Sequence, residues 1–181
     1  MNIHKEKIWY SDEFGCSNLN IGSAHLWIQG RRTYCDRGHW EWGATGISQY
    51  DPLPAGYFMK LETARMELER WLKYTLDNQR HTLTLPKKRL FKDAYYRNLG
   101  WNWTVISDDK MIANADGVTM TLSLSHNRSC LLLEIDGIES IDGADKFPRY
   151  YFDVEAAINE TELFLIWRLK KIPAEIPDRI S

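Results

Sequence analysis

Two sixteen-residue segments of this chain, 93 positions apart, share a pattern of apolar and acidic residues. The first is LETARMELERWLKYTL, Leu61 to Leu76, and the second is VEAAINETELFLIWRL at positions 154–169. Six aligned positions are identical, among them Glu67 with Glu160, and an aromatic string precedes each segment. A match at a fixed spacing predicts one structural unit present twice. The alternative is two unrelated helices that share common helix formers.

Both segments are predicted to be α-helices. In the first segment, residues at helical spacing form one mostly apolar stripe: Leu61, Ala64, Leu68, Trp71, Leu72 and Thr75. The second follows Asp153, a residue type that caps helix N-termini, and must end before Pro173. It is apolar on nearly all sides at LFLIW, so its later turns are expected to be buried on two sides.

The residues before each helix alternate with the period of two that is typical of β-strands. In the second half, VTMTLSLS and SCLLLEID predict a hairpin. In the first half, AHLWIQ, RRTYCD and HWEWGA predict a three-stranded meander with turns at Gly30 and at Arg37 and Gly38. We therefore expect an α+β protein of two similar halves, each an antiparallel sheet of about three strands followed by one α-helix packed on it.

Charge is distributed unevenly along the chain, which has a net charge of −2. We expect a first half at residues 1–78, a basic connector at 79–99 and an acidic second half at 100–181. The basic stretch 79–104 has a net charge of +5, whereas residues 105–162 have a net charge of −8. Such an asymmetry bears on the choice of binding partners rather than on the fold.

The segment YCDRGHWEW, at positions 34–42, has the densest group of residues that could act as nucleophiles, bases or metal ligands: Cys35, Asp36, His39 and Glu41. If Arg37 and Gly38 form a two-residue turn, Cys35 faces Trp40 on one side of the sheet, while Asp36 faces His39 on the other. A Cys–His nucleophile pair needs hydrogen-bond contact, which opposite faces prevent. A structural zinc site needs about four Cys or His ligands. We therefore predict a cysteine buried under tryptophans, an exposed Asp36–His39 pair, and no metal site.

The sequence motifs of common enzyme classes are absent. The chain contains no GxGxxG, GxxxxGK[ST], HExxH or GxSxG string. Paired carboxylates such as Asp108 and Asp109 lie in predicted turns, where solvated acids are more common than general acids. We expect no catalytic residue and no cofactor. An enzyme without a recognisable motif is the third alternative.

Aromatic content favours macromolecular binding. The chain has eight Trp and nine Tyr, and these residue types anchor protein interfaces. The competing explanation for the aromatic content is that small sheets use these large rings to fill their thin cores. In the second half, LLLEIDGIESIDGADK directs its apolar side chains inward and its carboxylates outward. The predicted partner-binding residues are Trp40, Trp42, Glu134, Asp136, Glu139, Asp142 and Asp145.

The expected function is therefore a non-enzymatic binding protein, a small inhibitor or adaptor that acts on a partner protein with a basic surface. Chains of this kind are frequent among phage and mobile-element inhibitors of host systems. The alternative is a nucleic-acid-binding module, because the connector interleaves cations with aromatic residues. Its predicted contacts are Lys87, Lys88, Arg89 and Lys92. The sequence pI of about 6.2 counts against this alternative.

The sequence also predicts a location. No apolar run approaches the roughly 20 residues that span a bilayer, and the start MNIHKEKIWYSDE has no apolar signal core. We therefore expect a cytoplasmic protein without membrane association. The cysteines, Cys16, Cys35 and Cys130, are odd in number and far apart, so a disulfide scaffold is not expected.

Overall fold

The computed structural model describes residues 8–32, 38–47, 52–76, 78–92, 101–115, 117–138 and 149–170. These residues form two antiparallel sheets and two α-helices. The prediction of an α+β protein is confirmed. Neither described helix is both long and apolar enough to cross a membrane.

The first sheet is a meander in which strands adjacent in sequence are adjacent in space. Its five strands are β1 (Tyr10–Ser11), β2 (Ser17–Ile21), β3 (Ala24–Arg32), β4 (Gly38–Thr45) and β5 (Tyr57–Phe58). Helix α1 (Leu61–Leu76) follows β5 and packs on one face of the sheet, against β3, β4 and β5. That face carries Leu26, Ile28 and Trp40, all buried, because alternate strand residues point to the same side.

The second sheet has six strands, which also follow chain order from one edge to the other. They are β6 (Lys88–Leu90), β7 (Asn102–Ser107), β8 (Lys110–Ala115), β9 (Val118–Leu124), β10 (Leu131–Asp136) and β11 (Arg149–Tyr151). Helix α2 (Val154–Lys170) follows and contacts β10 and β11. The predicted hairpin is confirmed, since β9 and β10 pair in register from Leu131 opposite Leu124 to Asp136 opposite Thr119.

The two helix predictions are also confirmed. Helix α1 spans Leu61–Leu76, and α2 begins at Val154. The carboxylate of Asp153 accepts a hydrogen bond from the Ala156 N–H at 2.8 Å, which is the predicted N-cap contact. The cap satisfies one of the N–H groups that the first helical turn leaves without an internal partner.

The prediction of about three strands in each sheet is wrong. Strands β1, β5 and β11 have only two or three residues, too few to show a period of two. Gly30 does not form a turn, because it lies inside β3 opposite Trp40. The long ladder with β4 outweighs the small cost of a glycine in a strand.

The predicted register of β3 and β4 is wrong as well. His39 pairs with Arg31 and not with Asp36. Trp40 pairs with Gly30 on one side and Phe58 on the other, so the predicted pairing of Cys35 with Trp40 is wrong too. Cys35 and Asp36 themselves lie outside the described residues.

The two sheets and two helices share one hydrophobic cluster. A parallel bridge joins Pro54 to Tyr150, and the Ala55 N–H donates to the Tyr150 carbonyl at 2.9 Å. The segment predicted to be a basic connector takes part in this structure, since it contributes β6 and buries Leu85 and Phe91.

Candidate interaction surface and a buried acid cluster

Strand β10 presents two acids on the sheet face opposite α2. Glu134 and Asp136 are exposed, whereas Leu131, Leu133 and Ile135 alternate with them and are buried, as the sequence predicted. Among the described ion pairs, none involves Glu134 or Asp136. The other predicted acids, Glu139, Asp142 and Asp145, lie outside the described residues.

The surroundings of these acids are polar and partly apolar. Across the sheet, Glu134 lies opposite Thr121, and Asp136 lies opposite Thr119. Two positions from Glu134 on the same face, Leu132 pairs with Tyr150 of β11, and both side chains are partly exposed. The open face of β10 and β11 therefore combines an apolar pair with two carboxylates, and we name Leu132, Glu134, Asp136 and Tyr150 the acidic face.

The structure places Trp40 and Trp42 away from this face. Trp40 is buried in the core of the first sheet, at 5% exposure. The Trp42 indole donates to the Ala55 carbonyl at 2.8 Å, and its ring lies 5.3 Å from that of Trp71 on α1. Both rings fill the layer between sheet and helix, so we do not include them in the candidate surface.

His39 is not exposed, which corrects the prediction of a solvated pair. Its side chain is 4% exposed because the Tyr57 ring packs against it, with ring centroids 4.9 Å apart. Its Nε2 lies 2.9 Å from Glu41 Oε1, and Glu41 also pairs with Arg31 at 3.2 Å. Among the described side chains, no group of three or more His, Cys, Asp or Glu residues could hold a metal ion.

The predicted nucleic-acid contacts divide into two kinds. Lys87 and Lys88 are exposed. Arg89 instead donates to Glu155 at 2.5 Å and to Asn159 at 2.7 Å, so its guanidinium lies on α2. Lys92 also donates to Asn159, at 2.6 Å. Arg89 and Lys92 contact α2. Their charges are therefore less available to bind phosphates than the charges of fully solvated side chains would be.

A cluster of buried acids lies where the two helices meet. Glu67 of α1 is fully buried, and its Oε2 accepts a hydrogen bond from the Phe152 N–H, just before α2, at 2.6 Å. Its Oε1 accepts from Arg70 at 2.9 Å. Burial raises the pKa of Glu67 to about 7, although the Phe152 N–H and the Arg70 charge act in the opposite direction.

Glu160 of α2 makes the corresponding contact with the start of α1. Its side chain is 2% exposed, and its Oε2 accepts from the Met59 N–H at 2.5 Å. Burial raises the pKa of Glu160 to about 7, against hydrogen bonds from Met59, Thr63 and Lys60. Glu160 Oε1 is buried and has no hydrogen-bond partner in the described structure.

Tyr151 lies between these acids. Its ring is fully buried, and burial raises the pKa of its phenol well above the usual range, with the charges of Glu160 and Glu67 acting in the same direction. Sequence reasoning missed this cluster. The available signal was that Glu67 and Glu160 recur at the same place in both segments, beside apolar residues.

One described cleft opens beside Glu67. Its volume is about 140 Å³, and its lining residues are Arg70, Tyr74, Gln79, His81, Leu83, Ser129, Phe152 and Asp153. Arg70 and Phe152 are the two hydrogen-bond donors to Glu67, so the cleft reaches the partners of the buried acid. Neither Glu67 nor Glu160 is itself part of its lining.

No protein-family model, curated protein or solved structure matches this chain.

Proposed function

We propose that this chain is a non-enzymatic binding protein, an inhibitor or adaptor, whose two halves are copies of one sheet-plus-helix module. In this proposal, the acidic face of the second half binds a basic surface on a partner protein. The observation that carries the proposal is the exposure of Glu134 and Asp136 beside the partly exposed pair of Leu132 and Tyr150.

The positions of the elements support a duplicated module. Strands β8 and β10 and helix α2 each begin 93 positions after β2, β4 and α1. The spacing of the two helical segments thus recurs in two pairs of strands before them. Identical spacing over strands and helix is expected when both halves derive from one sequence.

Equivalent contacts inside each half support the same proposal. The Trp9 indole donates to Glu69 of α1 at 2.7 Å, and the Trp103 indole donates to Glu162 of α2 at 3.3 Å. Glu69 and Glu162 are aligned at the spacing of 93. Trp9 immediately precedes β1 and Trp103 lies in β7, so in both halves a tryptophan donates to the same aligned position of the helix.

The charge of the acidic face supports a basic partner. Glu134 and Asp136 lie two positions apart on one side of β10, where like charges repel each other. They therefore contribute little to the fold, whereas a cationic surface would neutralise both. An apolar centre with charged residues around it is also the usual composition of a protein interface.

The experiment that tests this proposal is affinity capture from host lysate, with and without nuclease, followed by association kinetics with the captured protein. The variant is Glu134→Lys with Asp136→Lys. The matched control is Glu13→Lys with Glu62→Lys, which changes the net charge equally at exposed positions of the other half. We expect the first variant to slow association at least about tenfold at low salt, and the control to have a much smaller effect.

Two results would contradict the proposal. One is association at low ionic strength that the Glu134 and Asp136 reversals leave unchanged. The other is recovery of nucleic acid alone, lost after nuclease treatment and dependent on Lys87 and Lys88. The latter result would favour the nucleic-acid-binding alternative.

A further inference from the structure

Glu67 and Glu160 make the same contact in opposite directions. Glu67 lies in α1 and accepts from Phe152, two positions before α2; Glu160 lies in α2 and accepts from Met59, two positions before α1. The two contacts join residues that are 85 and 101 positions apart in sequence, so both bonds connect one half to the other. Each glutamate thus holds the chain segment that leads into the opposite helix.

The groups that surround the two acids are not equivalent. Glu67 faces Arg70 on its own helix, Asp153 before α2, and Tyr151. Arg70 donates directly to Glu67 and also lies 3.4 Å from Asp153. An ionised Glu67 would therefore have a hydrogen-bonded cation beside it.

Glu160 has a different set of neighbours. It faces Thr63 of α1 and, from β11, Arg149 and Tyr151. The Arg149 guanidinium donates a hydrogen bond to Tyr57 and lies over the ring faces of Tyr57 and Phe164. Glu160 Oε1, buried and without a hydrogen-bond partner, is the atom that can carry a proton without breaking the bond from Met59 to Oε2.

We infer that Glu67 and Glu160 form a proton-dependent latch between the two halves, in which the protonated carboxyls hold the helix starts and loss of the protons weakens the contact. A neutral carboxyl still accepts the backbone N–H through its carbonyl oxygen. An ionised carboxyl at the same place keeps the bond but lacks hydration, which is costly for a charge in a dry site. The latch does not depend on the acidic face.

The direction of the pH effect follows from burial. Burial raises the pKa of each glutamate from its ordinary value of 4.5 to about 7. A carboxyl with a raised pKa in the folded state contributes stability that is complete below pH 4.5 and is lost as the pH rises through about 7. We therefore expect the latch to be tight in mild acid and weaker above neutral pH.

Urea unfolding of the full chain at pH 5.5 and pH 8 tests the latch. For wild type, the proton on Glu160 alone should make the folded-to-unfolded ratio about 25-fold higher at pH 5.5 than at pH 8, after extrapolation to water. Glu160→Gln keeps a neutral acceptor, so it should lose this part of the pH dependence and be more stable than wild type at pH 8. Glu160→Ala should be less stable than wild type at both pH values.

Two outcomes would overturn the inference. One is a Glu160→Gln variant that is less stable than wild type at both pH values, because that result would mean that the ionised form is the one the fold needs. The other comes from wild type alone and requires no variant to fold: ¹³C NMR titration of the glutamate carboxyls. Two glutamates that titrate near pH 7 support the latch, and a set that all titrates near 4.5 refutes it.

Discussion

The Nε atom of Arg89 lies 3.7 Å from the carboxylate of Glu162, and the two side chains are only 12% and 4% exposed. Arg89 belongs to the edge strand β6, and Glu162 belongs to α2. Burial raises the pKa of Glu162, while the Arg89 charge and the Trp103 N–H favour its ionised form. This pair attaches the edge strand to the helix that covers the sheet.

Replacing Arg89 by alanine should therefore destabilise the fold. The change removes the main cation beside the buried Glu162 and leaves only the weaker effect of Lys92, so we expect a loss of about 3 kcal/mol in the free energy of unfolding at pH 7. The loss should be smaller at pH 5, because an unpaired buried carboxyl can take up a proton there. Chemical denaturation at both pH values measures the two effects.

The neighbouring lysines provide the control for Arg89. Lys87 and Lys88 are exposed, so Lys87→Ala and Lys88→Ala should each change the free energy of unfolding by less than about 0.5 kcal/mol. An Arg89→Ala variant as stable as these two would show that the pair with Glu162 contributes nothing to the fold.

Gly43 should not tolerate a side chain. A Cβ at this position would lie 2.2 Å from Trp27 Cζ2, because the indole packs on the glycine directly opposite it in β3 and β4. We expect Gly43→Ala to displace the indole and to cost about 1–3 kcal/mol of stability. Near-ultraviolet circular dichroism and thermal unfolding monitor the two effects.

Gly56 is the matched position for this test. A Cβ there would meet no atom within 4 Å. Gly56→Ala should be neutral, or stabilising by up to about 1 kcal/mol, because it reduces the freedom of the unfolded chain. Equal stability of the Gly43→Ala and Gly56→Ala variants would contradict the packing of Trp27 on Gly43.

Asp153 should act mainly as a helix cap. Its Oδ1 accepts from the Ala156 N–H, and its Oδ2 lies 3.4 Å from Arg70. Asp153→Ala removes the cap and should lower the free energy of unfolding by about 1 kcal/mol, whereas Asp153→Asn keeps an accepting oxygen and should retain most of it. If both variants lose the same amount, the ion pair with Arg70 is the larger contribution.

Cys130 should be protected from alkylation in the folded protein. Its side chain is 4% exposed, and burial raises the pKa of its thiol, so little thiolate is available. Cys16 is partly exposed. With iodoacetamide at pH 8, peptide mapping should show modification of Cys130 at least about tenfold slower than that of Cys16. Similar rates for the two thiols in native protein would contradict the burial of Cys130.

Local patterns in the sequence were sufficient to predict the elements whose pattern repeats several times. Helix α1 has four turns of apolar spacing, and β9 alternates over seven residues, so both were predicted with their bounds nearly correct. The outward direction of Glu134 and Asp136 followed from the same alternation in β10. These features depend on the spacing of residues a few positions apart, and that spacing can be read directly from the sequence.

Contacts between distant segments set which polar residues are buried and which strands complete the sheets. The two-residue strands β1 and β5 exist because a longer neighbour offers hydrogen bonds to them. Glu67 is buried where α1 meets the residues before α2, and its carboxylate accepts a hydrogen bond there from the Phe152 N–H, 85 positions away. No pattern within one segment contains that partner, because burial is set by contacts between residues that are distant in sequence and close in space.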